Sequence, residues 1–260
     1  MSQSDQIDVE AIERTGLAAH VEYLQSLGST QDHAIELARS GARPLPLLVI
    51  AEEQTAGRGR GPNRWWTGRG SLAMSLVVDP AEWSSAGELP PARSLAVGVA
   101  IVETIRPHLP GMRPGLHWPN DVYVARRKIA GVLVDVLGGG RHVVGIGLNV
   151  NNSLADAPED VRQRATSMRD LAGCAFERTK LVTDLLRHLR IALAEIAASP
   201  EEFGRHFGEL CLQVGAELTV DAAGRRTTGL CAGIAPDGAL LLETPSGYQK
   251  LYSGALVHGR

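Results

Sequence analysis

The sequence predicts an α+β fold: one mixed, mostly antiparallel sheet with packed helices, followed by a small barrel of short strands. Three observations predict it. Residues 115–124, 127–137 and 141–150 read as strands joined by tight turns, without a regular alternation of strand and helix. Residues 93–109 and 179–198 carry apolar side chains at helical spacing over long runs. After about Gln213 the texture changes to short strands separated by Ala-Gly at 223, Asp-Gly at 237 and Ser-Gly at 246.

Taken in order, residues 1–19 are a loose or helical lead-in. HVEYLQSLGST, from His20, is a strand ending in a turn, where Ser29 or Thr30 can cap the helix that runs to Gly41. LPLLVIAEEQ, ending at Gln54, is a buried strand that enters a glycine- and arginine-rich loop. In residues 71–80, Leu72, Met74, Leu76 and Val78 alternate onto one face of the next strand. Residues 93–109 form the main buried helix. GLHWPNDVYV and RKIAGVLVDVL are paired strands, Gly138 to Gly140 a hairpin turn, and RHVVGIGLNV the returning strand. Residues 179–198 form a second long helix. A boundary near residue 212 separates a large unit, 20–212, from a small one, 213–260.

Bulk properties narrow the function. With 260 residues and 44% hydrophobic content the chain can bury a sizeable core. A net charge of −3 argues against a general nucleic-acid binder, which needs a basic surface. Cys174, Cys211 and Cys231 stand far apart, with no CxxC pair, which suits a reducing cytoplasm rather than a disulfide scaffold or zinc knuckle. No metal-ligand cluster is expected. The polar, acidic start is unlike a signal peptide, and no apolar run reaches the roughly 20 residues a membrane helix needs.

Four stretches carry candidate chemistry. The loop QTAGRGRGPNRWW, 54–66, disfavours helix through Gly57, Gly59 and Gly61. Its arginines Arg58, Arg60 and Arg64 can donate to phosphate or carboxylate. The ordinary alternatives are a solvated loop or an RGG-like nucleic-acid segment. KIAG, Lys128 to Gly131, places an ammonium beside bare backbone, although an edge-strand lysine reads the same way. HWPND, 117–121, offers Asn120 and Asp121 at a strand end, and also describes a plain turn. GIGLN, 145–149, has Gly-x-Gly after a strand, but lacks the third glycine and the βαβ unit of a dinucleotide site. A strand with close backbone approach, leaving Asn149 available to a ligand, fits it better.

In order along the chain stand GST at 28–30, QTAGRGR at 54–60, WPND at 118–121, KIAGVLVD at 128–135 and GIGLNV at 145–150. On this combination the sequence resembles the biotin protein ligases, from about residue 20 to the end. The resemblance implies a biotin–lipoate ligase-like fold, akin to class II aminoacyl-tRNA synthetases, with an SH3-like C-terminal barrel. It implies a cytoplasmic enzyme that activates biotin with MgATP as biotinyl-5′-AMP and passes it to a lysine of a biotin carboxyl carrier domain of a carboxylase. Lys128, Arg58 and Asp121 would be the catalytic residues. Ser29, Thr30, Gln31, Gln54, Arg58, Gly59, Arg60, Lys128 and Gly131 would meet biotin. Arg58, Arg60, Trp65, Asn120, Lys128 and Asn149 would meet ATP. The loop would be mobile and would close over the adenylate. The kind implied is monofunctional, a monomer or homodimer without a DNA-binding domain or membrane partner.

Three residues depart from the family pattern: Gln31 where Asn is common, His117 where a lysine often precedes Trp-Pro-Asn-Asp, and Asp135 where Glu is common. Two other readings compete. One is a lipoate or octanoate ligase or transferase on the same fold, for which the loop is the wrong type. The other is a nucleic-acid-binding module stacking bases on Trp65 and Trp66, against which the net charge stands.

Overall fold

The computed structural model describes residues 5–80 and 92–257. The outer ends of the lead-in and of the small C-terminal unit, residues 1–4 and 258–260, lie outside the described residues. Seven strands form the large sheet: β1 (His20–Leu27), β2 (Leu47–Gln54), β3 (Leu72–Val78), β4 (Gly115–His117), β5 (Asp121–Val124), β6 (Arg127–Val136) and β7 (His142–Leu148). Their order is β1-β2-β3-β7-β6-β5-β4. Only β1 and β2 run parallel, joined by helix α2 (Thr30–Ser40); every other neighbouring pair is antiparallel.

The two sides of this sheet are covered differently. Helix α2 lies on one side and packs Ala34 and Ala38 against Leu47, Val49, Val77 and Val143. On the other side lie α3 (Arg93–Ile105) and α6 (Arg178–Ala198), packed on each other. Leu181, Leu185, Leu189, Leu193 and Ile196 make the buried stripe of α6, the spacing that a 3.6-residue period produces. Because both sides are covered, every residue of β3 is buried, not only Leu72, Met74, Leu76 and Val78.

Several expected elements differ in detail. GLHWPNDVYV is two short strands, β4 and β5, folded on each other around a cis Trp118–Pro119 bond. The helix from residue 93 ends at Ile105 and gives way to a 3₁₀ turn at Arg106–His108, where Pro107 cannot continue the ladder. Ser29 occupies the N-cap position of α2 but makes no side-chain capping bond. Short helices α1 (Val9–Arg14), α4 (Glu159–Arg164) and α5 (Met168–Ala172) flank the sheet. Helix α7 (Pro200–Leu210) follows α6 directly, with Pro200 in its first turn.

The C-terminal strands β8 (Glu217–Ala222), β9 (Arg225–Ile234), β10 (Leu240–Thr244), β11 (Gly247–Leu251) and β12 (Ala255–Leu256) form a second antiparallel sheet. Its order is β11-β10-β9-β8-β12, and among the described residues no ladder joins β11 to β12. The sheet is therefore open among the described residues, where the sequence led to the expectation of a small SH3-like barrel. Turn signals reported the hairpins correctly, but closure needs a pairing between the terminal strands that no local signal carries. Val220, Cys231, Leu240 and Leu242 join the main hydrophobic core. Trp118 couples the two sheets: its backbone N–H donates to Gln213 Oε1 at 2.6 Å and its indole N–H to the Gly238 carbonyl at 3.2 Å.

Candidate active site

One cavity of about 1090 Å³ opens where the start of α2, the Gly-Arg loop, the β4–β5 turn, β6, β7, α4 and two turns of the small sheet converge. Every candidate site residue of the sequence reading lines it.

The glycines of KIAG and GIG lie side by side, Gly131 opposite Gly147 in the β6–β7 ladder. The bare backbone they leave is covered by Trp65. A Cβ on Gly147 would stand 2.2 Å from Trp65 Cε2, and one on Gly131 would stand 3.2 Å from Trp65 Cζ3. The close approach read from the sequence is thus to the loop's own tryptophan. Trp66 turns instead toward Gly68.

Lys128 begins this floor. Its Nζ lies 2.7 Å from Asp121 Oδ1 and 5.6 Å from the Trp65 ring centroid. The β5–β6 ladder brings the two together by pairing Asp121 with Gly131. Beside them His117 stacks on Tyr123, with ring centroids 4.2 Å apart. Burial, and then the charge of Asp121, push the Tyr123 phenol up to about 12, so it stays neutral.

At one end the cavity wall is polar but uncharged. Gln54 Oε1 accepts from the Thr30 backbone N–H at 2.8 Å and lies 3.1 Å from its hydroxyl; Gln54 Nε2 donates to Thr67 Oγ1 at 3.0 Å. Ser75 Oγ stands 3.0 Å from Thr30 Oγ1 and 2.9 Å from Gln31 Oε1. The Ser29 hydroxyl is buried with no hydrogen-bond partner among the described residues.

The Gly-Arg loop is a hairpin across the mouth. Arg58 bridges Arg64, and the Gly59 N–H donates to the Asn63 carbonyl at 2.9 Å. One end is held by Arg58, whose guanidinium lies 2.8 Å from Asp32 Oδ1 and 3.4 Å from Asp135 Oδ2. The other is held by Arg60, which donates to the Gly254 carbonyl at 2.7 Å. The loop therefore spans from α2 and β6 to the small sheet.

Asn120 and Asn149 are more constrained than a free ligand contact. Asn120 Nδ2 donates to the Val132 carbonyl at 2.6 Å. Asn149 donates to the Thr166 carbonyl at 3.0 Å and accepts from Asn152 at 3.1 Å. Both ends of its amide are engaged, so it ties β7 to the segment before α5. Among the described residues, no group of three His, Cys, Asp or Glu side chains is placed to hold a metal ion.

Sequence reasoning missed what stands behind the site. Arg178, buried at the start of α6, pairs with Glu52 at 2.9 Å and Asp5 at 2.8 Å, and donates to the Ser71 carbonyl at 3.0 Å. Glu52 also accepts from Tyr23 and from the Gly70 N–H. Burial raises the Glu52 carboxyl, but Arg178 and these donors outweigh it and hold the group below the usual value. The network fixes the end of β2, from which the loop departs. An arginine opening a helix and a glutamate closing an apolar strand were its only traces. Asp32 left no trace, and Asp135 showed only as a departure from the pattern. Helix α4 was missed as a wall of the cavity because six residues carry too little periodicity.

The pattern of the biotin/lipoate A/B protein ligase family matches residues 23–151. The biotin–[acetyl-CoA-carboxylase] ligase of Mycobacterium tuberculosis is 34% identical over 242 residues, covering 90% of this chain and 86% of that protein. The bifunctional ligase/repressor BirA of Bacillus subtilis is 30% identical over 260 residues, covering 94% and 75%. The biotin protein ligase of Aquifex aeolicus in complex with biotin and ATP superposes with a TM-score of 0.80 at 26% identity, over 92% of this chain and 97% of that one. With these relatives, the chain belongs to the biotin/lipoate A/B protein ligase family, among the biotin protein ligases.

Proposed function

We propose that the protein is an ATP-dependent ligase that activates biotin as biotinyl-5′-AMP and transfers the biotinyl group to a lysine of a biotin carboxyl carrier domain. The observation that carries this is that one cavity is lined both by cationic groups, Lys128 and the loop arginines, and by neutral hydrogen-bonding groups, Ser29, Thr30 and Gln54. Biotin calls for both kinds of group, with a carboxylate at the end of an apolar chain and a neutral ureido ring.

In the first step a carboxylate oxygen attacks the α-phosphorus of ATP, the bond to the bridging oxygen breaks, and pyrophosphate leaves. Two anions must meet, so the step needs positive charge between them. Lys128, held by Asp121, supplies it beside the reacting oxygens, where developing charge is stabilised most. Arg58 and Arg60 carry the loop over the same point and shield the anhydride from water. Mg²⁺ enters with the nucleotide as part of the substrate, held by the phosphates. In the second step the neutral amine of a carrier lysine attacks the acyl carbon, AMP leaves, and the amide nitrogen loses its proton. Asp121 lies near enough to Lys128 to orient it through both steps.

The name of the Mycobacterium tuberculosis relative points to acetyl-CoA carboxylase as the source of the carrier. Among the described residues no helix is long and apolar enough to cross a membrane, which fits a carrier and substrates met in solution. The test is pyrophosphate release from MgATP by purified protein with biotin, lipoate or octanoate and no carrier. Release driven by biotin alone is expected. Release driven by lipoate or octanoate would place the chain on the lipoyl side of its family, and no release with any acid would end the proposal.

A further inference from the structure

Resting on that reading, we propose that Asp135 is a positioning residue which, braced by Gln31, holds the Arg58 end of the hairpin over the cavity and couples it to the wall of the acid pocket. Gln31 and Asp135 then act as one strut, and the reach of the pair matters more than either residue.

Arg58 meets two carboxylates that differ in kind. Asp32 is 62% exposed, and a pair so solvated holds an arginine weakly. Asp135 is 31% exposed and braced: the Oδ2 that faces Arg58 also accepts from Gln31 Nε2 at 3.1 Å. Gln31 is itself immobilised. It is 3% exposed, and its Nε2 also donates to the Val143 carbonyl at 3.0 Å while its Oε1 lies 2.9 Å from Ser75 Oγ. Both amide protons are thereby used. The space for the carbonyl end comes from Gly145, where a Cβ would stand 2.4 Å from Gln31 Oε1. Ser75 continues the chain to Thr30, and Thr30 to Gln54. A continuous line of polar contacts therefore runs from Gln54, on the acid-pocket wall, to the loop arginine.

This reassigns Gln31. Its amide is committed to the strut, so its part in holding the acid substrate is exercised through Arg58. The strut also has a length rule. A glutamine spans one methylene more than an asparagine, and an aspartate one less than a glutamate. Shortening Gln31 alone opens a gap at Oδ2, and lengthening Asp135 alone drives its carboxylate into Arg58 or the Gln31 amide. Doing both restores the sum.

The test is a double-mutant cycle on Q31N and D135E, with D135N as a variant that keeps size and removes charge. Two readouts are taken on the full chain. Trypsin cuts after arginine, so the rate of cleavage at Arg58, Arg60 and Arg64 reports how firmly the hairpin is held, with no substrate present. The rate at which biotinyl-5′-AMP escapes into solution without carrier, with KM for biotin and kcat for pyrophosphate release, reports what the hold does. Each single variant and D135N is expected to speed both cleavage and escape roughly three- to tenfold, raising KM more than it lowers kcat, and Q31N/D135E to return within about twofold of the parent. Effects of the singles that multiply in the double, or a D135N protein with unchanged cleavage, would overturn the strut. Biotin-independent wild-type protein with a cleavage cycle that closes as expected would keep the strut and discard the proposed function. A closed cleavage cycle without any change in adenylate escape or KM would reduce Asp135 to a purely structural tie and overturn its positioning role.

Discussion

Replacing Lys128 by methionine separates charge from packing, because methionine keeps an apolar stem against Trp65 and removes the ammonium. The structure sets both magnitudes. The Lys128 side chain is 30% exposed and Asp121 19%, so their pair is worth roughly 0.2–1 kcal/mol, as partly solvated pairs are. The ammonium sits 5.6 Å from the Trp65 centroid and adds about 0.5–1 kcal/mol at a site this open. Methionine also leaves the buried Asp121 Oδ1 without its cation, so folding should lose about 1–3 kcal/mol, a fall in Tm of roughly 2–12 °C for a chain of this size. Adenylate formation should lose far more. Removing one charge-stabilising group from a reacting centre typically costs about 10²–10³ in rate. The assay is biotin-dependent pyrophosphate release, run beside thermal unfolding of the same preparations. A rate within about threefold of the parent would refute the role of Lys128. A rate loss that merely follows a large fall in Tm would show that lysine is needed for the fold instead.

Arg178→Met should lower stability by roughly 3–5 kcal/mol in urea unfolding, because it strands Glu52 in a buried site; a loss under about 1 kcal/mol would mean water already reaches that carboxylate. The same pair sets an acid limit. Glu52 is held below its ordinary value of 4.5, so its contribution is present above the unfolded value and lost as pH falls through the folded one. Wild-type stability should therefore fall as pH drops below 4.5, and Glu52→Gln should flatten that fall. Gly147→Ala should displace Trp65, whose Cε2 lies 2.2 Å from the added carbon, at a cost of about 1–3 kcal/mol and with a changed near-ultraviolet circular dichroism spectrum; an unchanged spectrum would show the loop re-seats freely. Tyr123, pushed up to about 12, should ionise last among the tyrosines, and the stability tied to it should be full below about pH 10 and lost as pH rises toward 12. Tyr123→Phe should abolish the latest phase of a spectrophotometric titration.

Much of the site was legible because its chemistry is local. Lys128 and Gly131 are three apart on one strand, and Asp121 faces them through a hairpin that the sequence announces. The Gly-Arg loop marked a candidate anion site by composition, and it lies across the mouth of the cavity. What was not legible were the partners that act across the fold. Arg58 is met by Asp32 and Asp135 from different elements, and Arg178 joins Asp5 to Glu52. Asn149 lines the cavity as its motif suggested, but its ties to Thr166 and Asn152 were not legible. Helix α7 was legible in its local signals: Ser199-Pro200-Glu201-Glu202 marks its start, and Phe203, Phe207 and Leu210 recur at helical spacing.

By itself the sequence determined the kinds of element and the chemistry at their ends. Periods of two and 3.6 are set by neighbours a few residues away, and glycine, proline and arginine carry their constraints wherever they stand. Tertiary structure alone decided three things. It placed β3 between β2 and β7, which brings the loop over the glycines of β6 and β7. It filled that bare backbone with Trp65. It left the C-terminal sheet open, with its turns at the mouth of the cavity and Gly254 gripping Arg60. Each depends on which distant surfaces meet when the chain collapses, and that choice is made by the fit of the whole core.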